Sequence, residues 1–198
     1  MQEPTIAKQN ENKDSSFLQG QLLIAMPGLG DPYFERSVTL ICQHNADGCF
    51  GLTINKPIEL SINDLFDQLK IPFENSLISK MPVLRGGPVQ TEQGFVIHDS
   101  DHKWENTFTI CDDLAVTASK DILVDIAKGN GPDNFILTLG SASWAAGQME
   151  QEIMNNSWLN CPVDKKIIFN TPFGDRWQRA ADTLGVDVNF ISGVAGHD

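Results

Sequence analysis

The chain has few of the features that would announce a reaction. Its four cysteines, Cys42, Cys49, Cys111 and Cys161, include no CxxC pair, which argues against a zinc ribbon or a thioredoxin-type dithiol. No apolar run approaches the length of about 18 residues that a membrane helix needs. Neither GxGxxG nor the Walker pattern of GxxxxGK followed by Ser or Thr occurs, so no nucleotide fingerprint exists. Basic residues are scarce: 14 Lys and Arg stand against 26 Asp and Glu, a net charge of −12. A polyanion of this kind repels nucleic acid and anionic membranes unless a local basic patch overrides the total. The tight basic pair Lys165-Lys166 and the helix-spaced Arg176 and Arg179 make a thin footprint for nucleic acid.

The 198 residues suit one domain with a core of its own. Residues 1–16, MQEPTIAKQNENKDSS, are polar and aperiodic and hold no apolar core. They are expected to be a flexible tail and not a signal peptide, with residues 17–198 forming the domain. The expected location is the cytoplasm, with reduced thiols.

The stretch from Leu22 to Pro57 organises the rest. Leu22–Met26 is wholly apolar, as in a strand buried on both faces, and Pro27 ends it. A loop through Gly28, Gly30, Asp31 and Pro32 leads to a strand over Ser37–His44, an Asp-Gly turn at 45–48 and a return strand over Cys49–Asn55. Ile62, Leu65, Phe66 and Leu69 give Ser61–Lys70 a helical stripe, with Ser61 and Asp64 in capping-box positions. Short strands are predicted at Val83–Leu84 and Phe95–His98, with a polar loop over Asp99–Asn106. A helix is predicted over Ser119–Lys128, ended by Gly129, with Ile122, Leu123 and Ile126 inward. Phe135–Leu139 reads as a buried strand, and Gly140–Ser143 as a turn into a helix over Trp144–Asn156 with Ala146, Met149 and Ile153 inward. Lys166–Phe169 reads as a strand. Asp175 is placed as the cap of a last helix presenting Trp177, Ala180, Ala181 and Leu184 and ended by Gly185. The mixture predicts an α/β to α+β fold: one compact domain, a mixed sheet with an N-terminal hairpin, and helices on both faces.

LLIAMPGLGDPYFERSV, GLTINKP, GGPV and WAAGQMEQEI followed by WL occur in that order. In these blocks the chain resembles the YqgE/AlgH family of bacterial proteins, over about Gly20 to His197. The resemblance implies a compact cytosolic αβ domain of complex topology. It also implies, from one branch of the family, a link to transcriptional regulation of exopolysaccharide synthesis. It brings no catalytic residues. The chain departs from the family's usual pattern at Gly140-Ser141-Ala142-Ser143-Trp144, where a Gly-Tyr-Ala-Gly-Trp-like run is usual, and at Gly48-Cys49-Phe50-Gly51, where Gly-Ala-Met-Gly or similar is usual. The first departure puts in doubt any function tied to that stretch.

Five groups of side chains were weighed. Asp31, Arg36 and Asn55 border buried strands and either grip a ligand or brace the Gly- and Pro-rich loop; bracing is favoured. Ser141 and Ser143 at the expected helix start either meet an anion or, for Ser143, simply cap the helix. Gln148 and Glu152 share a helix face with Trp144 one turn earlier, as a recognition surface or a general base, or else as a solvated face with a helix-to-sheet hydrogen bond; the solvated face is favoured. His98-Asp99-Ser100-Asp101-His102 concentrates metal-ligand types at a spacing that fits no known site. Cys49 is expected across the turn from His44, where a Cys–His pair can activate a thiolate; small buried strand cysteines are the favoured reading.

These observations predict a non-enzymatic cytosolic protein, with a binding or regulatory role linked to transcription. A protein or small-molecule partner is expected to meet Asp31, Arg36, Asn55, Ser143, Trp144, Gln148 and Glu152. No cofactor, metal, nucleic-acid or membrane partner is expected. The alternative is a hydrolase or transferase acting on an anionic small molecule at the 140–143 turn.

Overall fold

The structure, a computed structural model, describes residues 17–73 and 77–186. The expected N-terminal tail lies outside the described residues. Ten strands form one mixed sheet: β1 (Gln21–Ala25), β2 (Val38–Asn45), β3 (Gly48–Thr53), β4 (Pro57–Ser61), β5 (Pro82–Arg85), β6 (Val89–Asp99), β7 (Thr107–Cys111), β8 (Leu114–Thr117), β9 (Phe135–Ala145) and β10 (Trp158–Pro162). The order is β10-β1-β2-β3-β9-β6-β8-β7, with β5 against β9 and β4 beyond it. Among the described residues only β5 and β9 pair in parallel; the other ladders are antiparallel.

Helices cover both faces, as the sequence predicts. They are α1 (Ile62–Gln68), α2 (Lys120–Lys128), α3 (Gln148–Met154) and α4 (Arg176–Asp182). The alternation of β1 shows why both are needed. Leu22 and Ile24 pack with Trp177, Ala180 and Ala181 of α4. Leu23 and Ala25 point the other way and pack with Met149 of α3 and with Trp144 and Trp158. A third cluster joins α1 and α2 to β6 and β9 through Phe66, Ile122, Ile126, Val96 and Leu137.

Several local expectations hold. The hairpin pairs Asn45 with Gly48 and His44 with Cys49. Ser61 and Asp64 form the full capping box of α1. Gly129 takes the left-handed conformation that ends α2, at φ 78°. Ile122 and Ile126 are buried, and Leu123 packs half-buried against the same cluster.

Others are corrected. Gly140–Ser143 is no turn: β9 runs unbroken to Ala145. Gly140 is needed there for a different reason, because its φ is +75° and a Cβ would stand 2.5 Å from the Gly87 carbonyl oxygen. The true break is at Ala146-Gly147, so α3 starts at Gln148, and Ala146 lies exposed outside it. Lys166–Phe169 is not a strand but part of a π-helical turn over Lys166–Asn170. Asp164 starts it by accepting from the Lys166 amide at 2.8 Å, and Ile167 and Ile168 are both buried by it. The strand at Phe95–His98 is the last part of the eleven-residue β6. On α4, Asp175 makes no side-chain cap, Leu184 stays 37% exposed, and Arg176 turns inward while Arg179 faces out.

The tightest point of the fold is where Gly86 and Gly87 cross β9. The Gly86 amide donates to the Leu139 carbonyl at 2.7 Å, and its own carbonyl accepts from the Thr53 amide at 2.7 Å. A Cβ on Gly87 would lie 1.9 Å from the Ser141 carbonyl carbon. No rotamer change relieves a clash with backbone, so Gly87→Ala must push β9 off this crossing. The expected outcome is a loss of at least about 3 kcal/mol in urea unfolding or failure to fold; Gly174→Ala, where nothing stands within 4 Å, serves as the tolerated control.

Candidate functional site

The site grows out of the chain between β1 and β2. After Pro27 the backbone makes consecutive tight turns: Leu29 N–H to the Met26 carbonyl at 3.0 Å, Phe34 to Asp31 at 3.1 Å and Ser37 to Phe34 at 2.9 Å. The Asp31 carboxylate accepts from the Tyr33 amide at 2.8 Å, closing the first bend of the Asp31–Phe34 turn. The Asn55 side chain fixes the far end. It accepts from the Val38 amide and donates to the Arg36 carbonyl, each at 2.8 Å. Asn55 is therefore a brace within the fold. Arg36 forms no ion pair with Asp31; its guanidinium lies 5.4 Å from the Trp177 ring centroid.

Phe34 leaves this loop to meet two indoles. Its ring stands edge-on to Trp158 at 5.4 Å and 6.2 Å from Trp144, and the two indoles meet edge-to-face at 6.1 Å. Both indole N–H groups donate to one oxygen of Glu152, at 3.0 Å from Trp144 and 2.8 Å from Trp158. The other oxygen accepts from Gln148 at 2.8 Å, and the Gln148 carbonyl oxygen accepts from the Ala145 amide at 3.0 Å. Glu152 thus ties β9, α3 and β10 together. A hollow of about 330 Å³ opens beside this knot, walled by Leu29, Asp31, Phe34 and Pro88 on one side and Ser143, Trp144, Gln148, Glu152 and Trp158 on the other.

Asp31, Ser143, Trp144, Gln148 and Glu152 meet at that hollow. Arg36 and Asn55 do not line it. Sequence reasoning missed Phe34, Pro88 and Trp158. The spacing of Trp144, Gln148 and Glu152 suggested one face, but Trp158 lies beyond the helix, and nothing local indicates its return to Glu152. Ser143 is exposed in mid-strand opposite Phe50, and Ser141 is 98% buried in the same strand, so neither sits at a helix start.

The remaining groups resolve into structural roles. His44 Nδ1 accepts from the Leu18 amide at 3.0 Å, which puts its proton on Nε2, 3.1 Å from Glu150. Burial, with the Glu150 charge adding to it, pushes the Cys49 thiol up to about 12, the reverse of an activated thiolate. Among the described residues no group of three or more His, Cys, Asp and Glu gathers as metal ligands. His98 is wholly buried, with Nδ1 2.6 Å from the Asp99 carbonyl oxygen and Nε2 2.8 Å from the Thr117 hydroxyl.

Two predictions follow from this geometry. Glu152→Ala leaves two nearly buried indole N–H groups without an acceptor and should cost about 2 kcal/mol or more, whereas Glu152→Gln keeps one carbonyl oxygen and should cost less, both read by denaturant unfolding. Burial holds the His98 pKa below its ordinary value; the Asp99 carbonyl and carboxylate oppose the shift and His102 reinforces it. Such an imidazole gains a proton on unfolding, so its contribution is intact above the unfolded pKa of about 6.5 and is lost as pH falls below it. Thermal melts should therefore show a weaker acid slope in His98→Gln than in the wild-type chain, and equal slopes would remove His98 as the source.

The comparisons agree with the fold. The AlgH-like family model matches residues 22–189. The chain is 46% identical over 186 residues to a UPF0301 protein from Methylococcus capsulatus, covering 94% of this chain and 99% of that one. It is 47% identical over 180 residues to a UPF0301 protein from Saccharophagus degradans, covering 91% and 88%. The solution structure of the AlgH protein from Pseudomonas aeruginosa is similar with a TM-score of 0.77 and 38% identity, over 97% of this chain and 100% of that one. A crystal structure of a Corynebacterium diphtheriae protein has a TM-score of 0.70 at 20% identity, over 87% and 90%, a likeness of fold alone. With the motif blocks, the family model over residues 22–189 and these relatives in agreement, the chain belongs to the AlgH-like, or YqgE/AlgH, family.

Proposed function

We propose that this protein is a non-enzymatic binding protein that takes a small ligand or a partner's side chains in the hollow beside Glu152. One observation carries the reading: polar and aromatic residues from the 31–34 loop and from the 143–158 stretch converge on one concavity, and Glu152 ties its walls together. The polar atoms there are committed to the fold. Glu152 accepts three donors, Gln148 holds a backbone amide, and Asp31 closes a turn. A general base or nucleophile needs a free lone pair aimed at substrate, whereas a recognition surface needs fixed walls. Aromatic faces with a polar rim suit recognition.

The hydrolase or transferase alternative rested on a helix starting at residues 140–143. That stretch is strand, with Ser141 buried, so the anion-attracting helix end is missing from it. A regulatory role linked to transcription fits a cytoplasmic binding protein. With a net charge of −12 it acts in this reading through a protein intermediary and not by holding DNA. Among the described residues no helix is long and apolar enough to cross a membrane.

The test is a ligand and pull-down screen of the full chain, with Trp fluorescence as a direct readout. Asp31→Ala and Gln148→Ala should weaken any interaction found by about tenfold while leaving the fold intact by circular dichroism. If both variants keep every interaction, the hollow is not the binding surface.

A further inference from the structure

A second cluster, beside the hollow but not lining it, runs against the charge of the whole chain. Lys56 and Arg85 reach the Tyr33–Arg36 segment that carries Arg36, and among the described residues none of the three makes an ion pair with a carboxylate; the Lys and Arg ion pairs formed there are Lys165–Asp99 and Lys165–Asp113. In a chain with 26 acidic and 14 basic residues, unpaired cations grouped together are the opposite of what random placement gives.

The backbone holds them there. Lys56 Nζ donates to the Glu35 carbonyl oxygen, next to Arg36. The Arg85 amide donates to the Lys56 carbonyl at 2.7 Å. Asn55 grips the Arg36 carbonyl, and Arg36 itself sits at φ +49°, a conformation that L side chains rarely adopt. Each guanidinium rests on a ring: Arg36 at 5.4 Å from the Trp177 centroid and Arg85 at 5.6 Å from that of Tyr33, the chain's one tyrosine. Arg176, which reaches the backbone two residues before Lys56, is 98% buried. It donates to the Ile54 and Thr171 carbonyls and lies 4.4 Å from the Phe173 ring centroid.

These positive charges act on one another. The Lys56 pKa is pulled down chiefly by partial burial; the Glu35 charge opposes this, and the Arg85 and Arg36 charges, each acting less strongly than Glu35, add to the lowering. Burial likewise lowers Arg176 to about 10, which leaves it charged at neutral pH. Like charges held together against repulsion by a braced backbone weaken the fold unless something negative joins them.

We propose that Arg36, Lys56 and Arg85 form a binding site for a phosphate-bearing small molecule. Two planar guanidinium forks offer paired donors to phosphate oxygens, and the ammonium supplies a third charge. A monocarboxylate offers too little charge for three cations. The site uses none of the residues of the hollow, so it stands or fails separately from the binding role proposed there.

Titration calorimetry of the full chain at low salt with inorganic pyrophosphate and with glycerol phosphate tests this. Saturable binding is expected, weakened by about tenfold in Arg36→Gln and again in Arg85→Gln, since each removes a charge-assisted pair. Lys128→Gln, which changes the net charge equally at the end of α2, and Gln148→Ala in the hollow should bind as the wild-type chain does. A purely structural role for Arg85 would lower the melting temperature of Arg85→Gln, whereas relief of repulsion leaves it unchanged or raises it. No saturable binding of either compound at millimolar concentration overturns the proposal. So does equal loss in Lys128→Gln, or a duplex oligonucleotide that binds in place of both compounds.

Discussion

The structure depends on how closely two backbone segments can approach. Gly86 and Gly87 lie on Gly140 and Ser141 with no room for a Cβ at Gly86, Gly87 or Gly140. Because they do, β9 serves three neighbours. Its first half pairs with β5 and β6, and its second half with β3. A strand that carries so many ladders cannot end at Gly140, whatever local turn chemistry suggests. Its continuation places Ser143 on the rim of the hollow and points the Trp144 indole at α3.

From that point one carboxylate does the joining. Glu152 gathers an indole from β9 and an indole from β10, and Gln148 ties α3 back to Ala145. Charge-assisted hydrogen bonds of this kind are stronger than neutral ones and leave the acceptor little freedom. Phe34 then seats the Met26–Arg36 loop on the same indoles. The loop's other end is fixed by Asn55, which satisfies one donor and one acceptor that the bend would otherwise leave unpaired. Walls held from both ends keep their shape when empty, which reduces the ordering entropy that binding would otherwise cost.

What the sequence made legible was whatever local chemistry decides. Every residue of Leu22–Ala25 is apolar, and that requires cover on both faces. Ser61 with Asp64, and Gly129 after Lys128, mark helix ends by their own hydrogen bonds and backbone preference. What stayed hidden was decided at a distance. Ser141-Ala142-Ser143 suits a helix cap as well as a strand, and the choice falls to Gly87, far earlier in the chain. Ile167 and Ile168 satisfy a buried strand and a single helical turn equally, and Asp164 selects the turn. Of the site residues, Gln148 and Glu152 were legible through helical spacing; Trp144 reaches Glu152 from the end of β9, not from the helix turn that its spacing suggested. Trp158 and Phe34 join them only through the β1–β10 ladder and the path of the loop. Lys56 and Arg85 come together because β4 pairs with β5, a pairing that no motif announces.

The net charge and the local charge point to different partners, and distance decides between them. At physiological salt the field of an exposed charge fades over about 8 Å. A small dianion in the proposed site would be governed by Arg36, Lys56 and Arg85, with Glu35 the opposing charge that acts on Lys56. A duplex extends many screening lengths and meets the whole surface, whose excess of acids gives −12. The same chain can therefore repel a long polyanion and attract a short one.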